Sequence, residues 1–186
     1  MNKKIKLGII ILVIVLLIGY VVSTYNSLVT LNVNADTQWK QVETNYQRRF
    51  DLIPNLIESA KGVMKQEQVV FTAISDARTR YSGATSANDK AIAAGQVESA
   101  LSRLMVIVES YPTLKSSETV QSMMSQLEGT ENRISVERMR FNDSVKLYNL
   151  KVMKVPSSLI ASIFGFKERS YFEAVKGAEQ APQVKF

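Results

Sequence analysis

The 186-residue chain contains neither cysteine nor histidine. Without these residues, zinc, haem and iron–sulfur sites lose their usual protein ligands, and disulfide bonds cannot form. Nucleophilic catalysis by a Ser-His or Cys-His pair is excluded for the same reason. General acid–base chemistry would depend on Asp, Glu, Lys or Tyr alone. The composition therefore predicts a protein that is not an enzyme, with no catalytic residues, no metal site and no cofactor.

Glycine and proline are also scarce. The eight glycines and four prolines are scattered singly, so the chain has no glycine-rich phosphate loop, and this scarcity favours long helices. Three N-terminal lysines supply half of the formal net charge of +6. The remaining excess of positive charge is too small to support nucleic-acid binding, and we expect no nucleic-acid partner.

A long apolar run follows those three lysines, Lys3, Lys4 and Lys6. From Ile5 to Thr24 the chain has about the twenty residues that a bilayer core requires. We therefore predict that residues 1–24 are a single-pass membrane anchor. The alternative is a cleaved signal peptide, although the run is longer than a typical signal core. Since lysines near a span prefer the cytoplasm, we expect the C-terminal domain to lie outside the cytoplasm.

Residues 25–176 carry apolar side chains at alternating steps of three and four, which is the spacing of one helix face. Loop-forming residues at 82–88 and 113–117 divide this region into helices. The pattern predicts an all-α fold in which the transmembrane helix precedes an antiparallel up-and-down four-helix bundle. Residues 177–186 are predicted to fray. The stripe of the last long helix consists of Val120, Met124, Leu127, Ile134, Phe141, Val145, Tyr148 and Val152.

Pro54 interrupts the first stripe after the anchor. A proline inside a helix lacks the N–H that the helix needs, so it breaks or kinks the helix. If Asp51 capped a new helix, Pro54 would lie in its permissive first turn. The unbroken phase of the stripe favours a kink instead. We predict a break, because it yields four segments that can alternate in direction.

Charged side chains occupy a few positions in these stripes. Glu131 and Arg138 lie seven residues apart on one face of the last long helix. An unpaired charge in a bundle interior costs several kcal/mol, so such side chains normally pair with one another. The alternative is a wet edge of the stripe, or a device that fixes helix register. The predicted polar network joins Glu131 and Arg138 to some of four candidates on the first helix, Arg49, Asp51, Asn55 and Glu58.

Two asparagines, Asn142 and Asn149, are also seven residues apart, and each follows an aromatic residue. Asparagines in a helical seam usually set register rather than bind a ligand. We expect that role here.

The segment 157–166 is apolar but too short to span a bilayer. It can pack over an open end of the bundle, or it can lie in the membrane interface with Lys151 and Lys154 near the headgroups. The residues predicted to contact a membrane or a partner are Phe164, Phe166, Lys167, Tyr171 and Phe172.

Several motifs resemble the LemA family of bacterial membrane proteins. The most specific is the string Arg48-Arg49-Phe50-Asp51-Leu52-Ile53-Pro54-Asn55-Leu56, and the others are segments 39–43, 127–134, 140–145, 148–149 and 163–173. The resemblance implies a single-pass membrane protein with a four-helix up-and-down domain, and it implies no catalytic residues. Descriptions of the family place the short N-terminus outside the cell, whereas the lysines predict the reverse.

Three functions are compatible with these features. The leading interpretation is a non-enzymatic, membrane-anchored scaffold or interaction module of the cell envelope, which binds a protein partner or itself. The alternative is a lipid-binding or membrane-remodelling protein that uses residues 159–172. An enzyme with a divalent cation held by Asp51, Glu58 and Glu131 is disfavoured, because the usual di-iron pattern includes histidine.

Overall fold

Helices account for almost all of the described chain. The computed structural model describes residues 2–61 and 68–172, and no strand occurs among them. The predicted all-α class with a long apolar N-terminal helix is confirmed. The predicted fraying of 177–186 falls outside the described residues. The helices are α1 (Lys3–Lys61), α2 (Gln68–Gly83), α3 (Ala87–Glu109), α4 (Pro112–Lys115), α5 (Glu118–Met153) and α6 (Ser157–Ile163).

Helix α1 is continuous through Pro54, so the predicted break at this proline is wrong. Pro54 is exposed, whereas its neighbours Ile53 and Leu56 are buried. The missing N–H of Pro54 costs one backbone hydrogen bond, and the burial of the adjacent apolar side chains outweighs that loss. The antiparallel four-helix arrangement after the anchor stays a prediction.

The first third of α1 is apolar and unpartnered. The most apolar 18-residue window of this helix is 0% buried within the protein, although Ile, Leu and Val fill it. Helix α3 is also long and apolar enough to cross a membrane, but 44% of its window is buried, as in the core helix of a soluble domain. The exposed window of α1 has the length and surface of a membrane span.

Local signals at helix ends agree with the sequence. Ser86 caps α3, because its Oγ accepts a hydrogen bond from the backbone N–H of Asp89 at 3.0 Å. Pro112 ends the preceding helical region and then occupies the first turn of the short helix α4, where its missing N–H costs nothing. Most of the segment 113–117, which the sequence predicts to be a loop, therefore forms the single helical turn of α4.

The described chain forms two compact units. The first unit comprises residues 2–38 and 142–170, which include the N-terminal part of α1, the end of α5, and α6. Its core includes a cluster of four buried side chains, with four partly buried apolar neighbours. The buried four are Leu28, Tyr148, Ile160 and Ala161, and the neighbours are Val21, Leu31, Val152 and Phe166.

The second unit comprises residues 39–141 with 171–172. Aromatic side chains join its helices: the ring of Tyr81 in α2 lies 5.2 Å from that of Tyr46 and 4.7 Å from that of Phe50, both in α1. Trp39 packs in the same way against Phe141 of α5, at 5.2 Å. Tyr46 also contacts Arg138, one of the charged residues that interrupt the helical stripes.

Candidate functional site

Charged side chains from α1, α3 and α5 meet inside the second unit. Arg49 is only 6% exposed although it carries a full positive charge. Its position on α1 follows the phase of the buried side chains Tyr46 and Ile53, so the helix directs it inward. The helical phase of the sequence is therefore enough to place Arg49 in the core. A buried guanidinium needs a negatively charged partner, which other parts of the fold must provide.

Two carboxylates meet this guanidinium. Arg49 Nη1 donates to Glu131 Oε2, and it lies 3.7 Å from Glu98 Oε1. Arg138 Nη2 donates to that same oxygen of Glu98, and Arg138 Nε donates to the Tyr46 hydroxyl at 3.0 Å. We call Tyr46, Arg49, Glu98, Glu131 and Arg138 the charged cluster. Its charges alternate in sign from Glu131 to Arg138, so each charged member has an opposite neighbour.

Burial changes the acid–base behaviour of two members. Removal from water raises the pKa of the Glu98 carboxyl above its ordinary value, and the nearby carboxylate of Glu131 adds to this, although Arg138 and Arg49 oppose it. Burial likewise raises the pKa of the Tyr46 phenol, so its hydroxyl stays protonated at neutral pH. Tyr46 is therefore a neutral acceptor for Arg138.

An open cleft of about 490 Å³ lies beside the charged cluster. Arg49, Glu98 and Glu131 line it, so three charged groups of the cluster face a space that solvent can enter. The Nε atom of Arg49 is buried and has no hydrogen-bond partner within the described part of the protein. The other lining residues are Leu101, Ser102, Met105, Leu127, Glu128 and Asn132.

The structure thus unites three of the six residues of the predicted network, Arg49, Glu131 and Arg138. The other three, Asp51, Asn55 and Glu58, are exposed. They lie about 180–240° around α1 from Arg49 at 100° per residue, so they are on the opposite side of the helix. The Asp51 carboxylate accepts from Gln47 Nε2 at 2.8 Å.

Sequence reasoning missed Glu98, which connects the two arginines. A signal was available, since Glu98 lies four residues after Ala94 and three before Leu101, both of which are buried in α3. Two inward arginines with one inward glutamate also left one positive charge unbalanced. Glu98 of α3 supplies the missing negative charge.

The C-terminal residues predicted as membrane or partner contacts have different environments. Phe164 is half exposed, with its ring 4.9 Å from that of Tyr25, and Phe166 is partly buried against the same tyrosine. Lys167 and Tyr171 are exposed. Phe172 lies instead in the second unit, where its ring centroid is 4.6 Å from the guanidinium carbon of Arg138.

Asn149 has a definite structural role. Its Nδ2 donates to the backbone carbonyl of Arg169, and its Oδ1 accepts from the backbone N–H of Arg169, both at 2.9 Å. Tyr148 donates to the backbone carbonyl of Lys167 at 2.9 Å. These two neighbours in α5 therefore bind the backbone of the segment after α6 through side-chain hydrogen bonds. This role of Asn149 differs from the expected one, which was to set the register of two helices.

Within residues 2–61 and 68–172, no group of three or more His, Cys, Asp or Glu side chains could hold a metal ion. In the charged cluster the carboxylates are engaged by arginines. A cation would have to compete with the arginines for the carboxylate oxygens of Glu98 and Glu131. The charged cluster and the cleft beside it are instead suited to non-covalent binding.

Comparison with known proteins gives consistent results. A family model described as the LemA family matches residues 38–186. The magnetosome proteins MamQ 1 and MamQ 2 of Paramagnetospirillum magneticum are each 30% identical over 189 residues, which cover 88% of this chain and 70% of the relative. MamQ of Magnetospirillum gryphiswaldense is 31% identical over 195 residues, or 91% and 72% of the two chains. Neither the family description nor these names includes an enzymatic activity. The matches and the apolar part of α1 indicate a membrane-associated helical protein.

Proposed function

Because the chain belongs to the LemA family, as its motifs predicted, we propose that it is a non-enzymatic, membrane-anchored interaction module of the cell envelope. Residues 5–24 form its single membrane span in this proposal. The helical remainder works on one side of the membrane and binds a protein partner or a second copy of itself. Lipid contact by residues 159–172, the alternative function, is compatible with such a module.

The observation that supports this function best is the cleft beside the charged cluster. A buried arginine normally has its polar atoms fully paired, yet Arg49 Nε has no partner among the described residues and its side chain lines an open space. Apolar, polar and charged side chains all line that space. Such a surface suits a protein segment that presents both an apolar side chain and a hydrogen-bonding group.

The N-terminal lysines support an orientation. Lys3, Lys4 and Lys6 precede the span, and no basic residue follows it before Lys40. Positive charge close to a span stays in the cytoplasm. In this proposal the helical domain is therefore outside the cytoplasm, and its partners are envelope proteins.

A photo-crosslinking amino acid at Ser102, which is exposed and lines the cleft, tests the proposal in intact membranes. Ser75 is the matched control, since it is exposed on α2 and does not line the cleft. We expect one adduct of defined mass from position 102 and none from position 75. Twice the 20.8 kDa chain mass would identify self-association.

Charge reversal then tests whether the cleft itself is responsible. Glu128→Lys places a positive charge at the rim of the cleft, and Glu118→Lys places the same charge on an exposed part of α5 outside it. We expect the adduct to be lost in the first variant and kept in the second. The absence of a specific adduct at 102, or equal adducts at 102 and 75, contradicts an interaction at this cleft.

A further inference from the structure

Helix α6 has two faces of different character. Its inner face, formed by Ser157, Ile160 and Ala161, is buried. Leu159 and Ile163 lie on the opposite face and are 64% and 77% exposed. Phe164, directly after the helix, is 50% exposed. We call Leu159, Ile163 and Phe164 the outer face of α6. Large apolar side chains grouped in this way are usually covered by a partner or by lipid.

Hydrogen bonds at both ends of α6 fix the orientation of the outer face. Ser157 Oγ donates to the backbone carbonyls of Lys151 and Lys154 at 2.6 and 2.7 Å, which fixes the start of α6. At its other end, Gly165 adopts φ +75°, a conformation that glycine accepts without strain. The backbone N–H of Phe166 then bonds to the carbonyl of Ala161 at 2.9 Å. The exposed side chains are therefore presented in one defined orientation.

The position of α6 along α1 points to what covers this face. Within the first unit, Phe164 and Phe166 contact Tyr25, one residue beyond the predicted span. The twenty residues from Ile5 to Thr24 measure about 30 Å in a helix, which equals the thickness of the hydrocarbon core. Tyr25 consequently lies at the depth of the headgroups, where tyrosine is commonly found. Phe164 lies at the same depth.

The surrounding surface suits a membrane better than water. The apolar surface of the anchor continues up to Val22, which is 53% exposed. Val155, in the turn before α6, is 81% exposed. Lys154 and Lys167 are exposed on either side of α6, with Glu168 as an adjacent acid. Lysines beside an apolar face are the arrangement of a segment that lies in the interface of a bilayer.

We propose that Leu159, Ile163 and Phe164 insert into the interfacial region of the bilayer beside the anchor. This inference rests on the membrane span of the proposed function. The contact gives the protein a second attachment to the same membrane surface, beyond the single helix that tethers it. A second attachment restricts rotation of the first unit about the axis of α1 and fixes the tilt of that helix in the membrane.

Depth-dependent quenching tests the insertion, and the absence of native cysteine makes labelling specific. The full chain is reconstituted in vesicles of phosphatidylcholine and phosphatidylglycerol that contain a lipid with a spin label near the headgroup. An environment-sensitive dye is attached to Ile163→Cys, to Val22→Cys in the anchor, or to Ser82→Cys, which is exposed in the last turn of α2. We expect a comparable loss of fluorescence at 163 and 22, and none at 82.

The three positions separate failure of this inference from failure of its premise. Quenching at 22 without quenching at 163 overturns the insertion and leaves the anchor intact. No quenching at 22 overturns the membrane span itself. A dye at 163 that is shielded both from the lipid label and from aqueous iodide also overturns the insertion, because a protein surface then covers the outer face.

Leu159→Asp combined with Ile163→Asp provides a second measurement. Both side chains point away from the buried face of α6, so the fold tolerates the charges. We expect the dye at Val155→Cys to lose its lipid quenching in this variant, because charged side chains do not stay at that depth. The matched control, Thr72→Asp combined with Ser75→Asp on the exposed side of α2, leaves the quenching unchanged. Undiminished quenching in the α6 variant contradicts the inference.

Discussion

Arg49 carries a full positive charge although its side chain is buried in the second unit. A buried guanidinium must recover in contacts what it loses in hydration, and two carboxylates on different helices supply these contacts. A buried ion pair of this kind contributes little net stability compared with apolar packing. Removal of one partner, however, leaves a buried charge without compensation, so the cluster is sensitive to single substitutions.

Glu131→Gln tests this sensitivity. The variant keeps the shape of the side chain and removes the charge that faces Arg49, so we expect the free energy of unfolding to fall by about 1–3 kcal/mol. Thermal unfolding of the full chain in detergent measures the change. Glu128→Gln is the matched control on the same helix, because Glu128 is exposed and is not a member of the charged cluster, and its effect should stay within about 0.5 kcal/mol. Unchanged stability in both Glu131→Gln and Arg138→Met contradicts a buried network.

The pH dependence of stability should differ in sign between two glutamates of the second unit. Burial dominates at Glu98, whose folded pKa is raised above 4.5, so its contribution is present below pH 4.5 and is lost as the pH rises through the folded pKa. At Glu43, burial is outweighed by hydrogen bonds from Lys40 and Lys90, which lower the pKa. The contribution of Glu43 is therefore present above pH 4.5 and is lost on acidification.

We expect the stability differences between wild type and Glu98→Gln, and between wild type and Glu43→Gln, to change with pH in opposite directions. The first difference declines from pH 4.5 upward, and the second declines from pH 4.5 downward. Denaturant unfolding of the three proteins across this range measures both curves. Two curves that slope the same way contradict the assignment of burial to one residue and ion pairing to the other.

Residue positions could be predicted from the sequence where helical phase determined them. Arg49, Glu131 and Arg138 follow the phase of their stripes, and the structure brings them together. Asp51, Asn55 and Glu58 stand near Arg49 in the sequence, but helix geometry directs them to the opposite side of α1. The helical phase of α3 directs Glu98 inward as well, but its pairing with two arginines depends on how three helices pack.

At the scale of elements, α1 continues through a residue that normally ends a helix. The carbonyl of Phe50 loses its intrahelical donor at Pro54, yet Ile53 and Leu56 remain buried on either side. Local propensity predicts a break, and the continuous apolar stripe predicts one helix. The stripe prevails because burial of several large side chains is worth more than one hydrogen bond.

If Pro54 is a tolerated defect of α1, Pro54→Ala should stabilise the second unit. The variant restores a hydrogen-bond donor to the helix, and the expected gain is about 1–3 kcal/mol. Asn55→Ala is the control, since Asn55 is the exposed neighbour, and it should change stability by less than about 0.5 kcal/mol. A lower melting temperature for Pro54→Ala would mean that the proline favours the native geometry of α1.

Asn149 connects α5 to the segment that follows α6. Asn149→Ala removes two hydrogen bonds and leaves the backbone N–H and carbonyl of Arg169 without those partners, so we expect a loss of about 1–3 kcal/mol. Faster hydrogen exchange at Arg169 should accompany it. Asn132→Ala, an exposed position of the same helix, serves as the control. Unchanged exchange at Arg169 in the Asn149 variant would contradict this role.

At the scale of the whole molecule, composition and hydropathy predicted the helical class and the apolar N-terminal helix. These are properties of long segments, in which many weak signals add. The predicted break at Pro54 was wrong, because it depended on a competition between local propensity and burial at one proline. The contact of Phe164 with Tyr25 could not be predicted, since it joins residues about 140 positions apart and no local pattern specifies it.

The central claim is that a single N-terminal span holds the helical domain on the outer side of the membrane. Single cysteines at Asn2 and at Ser82, in a chain with no other thiol, test it with a membrane-impermeant maleimide on right-side-out membrane vesicles. We predict that Ser82→Cys is labelled directly and that Asn2→Cys is labelled only after the membrane is opened. Labelling of Asn2→Cys with protection of Ser82→Cys would contradict the orientation, and direct labelling of both would contradict the span.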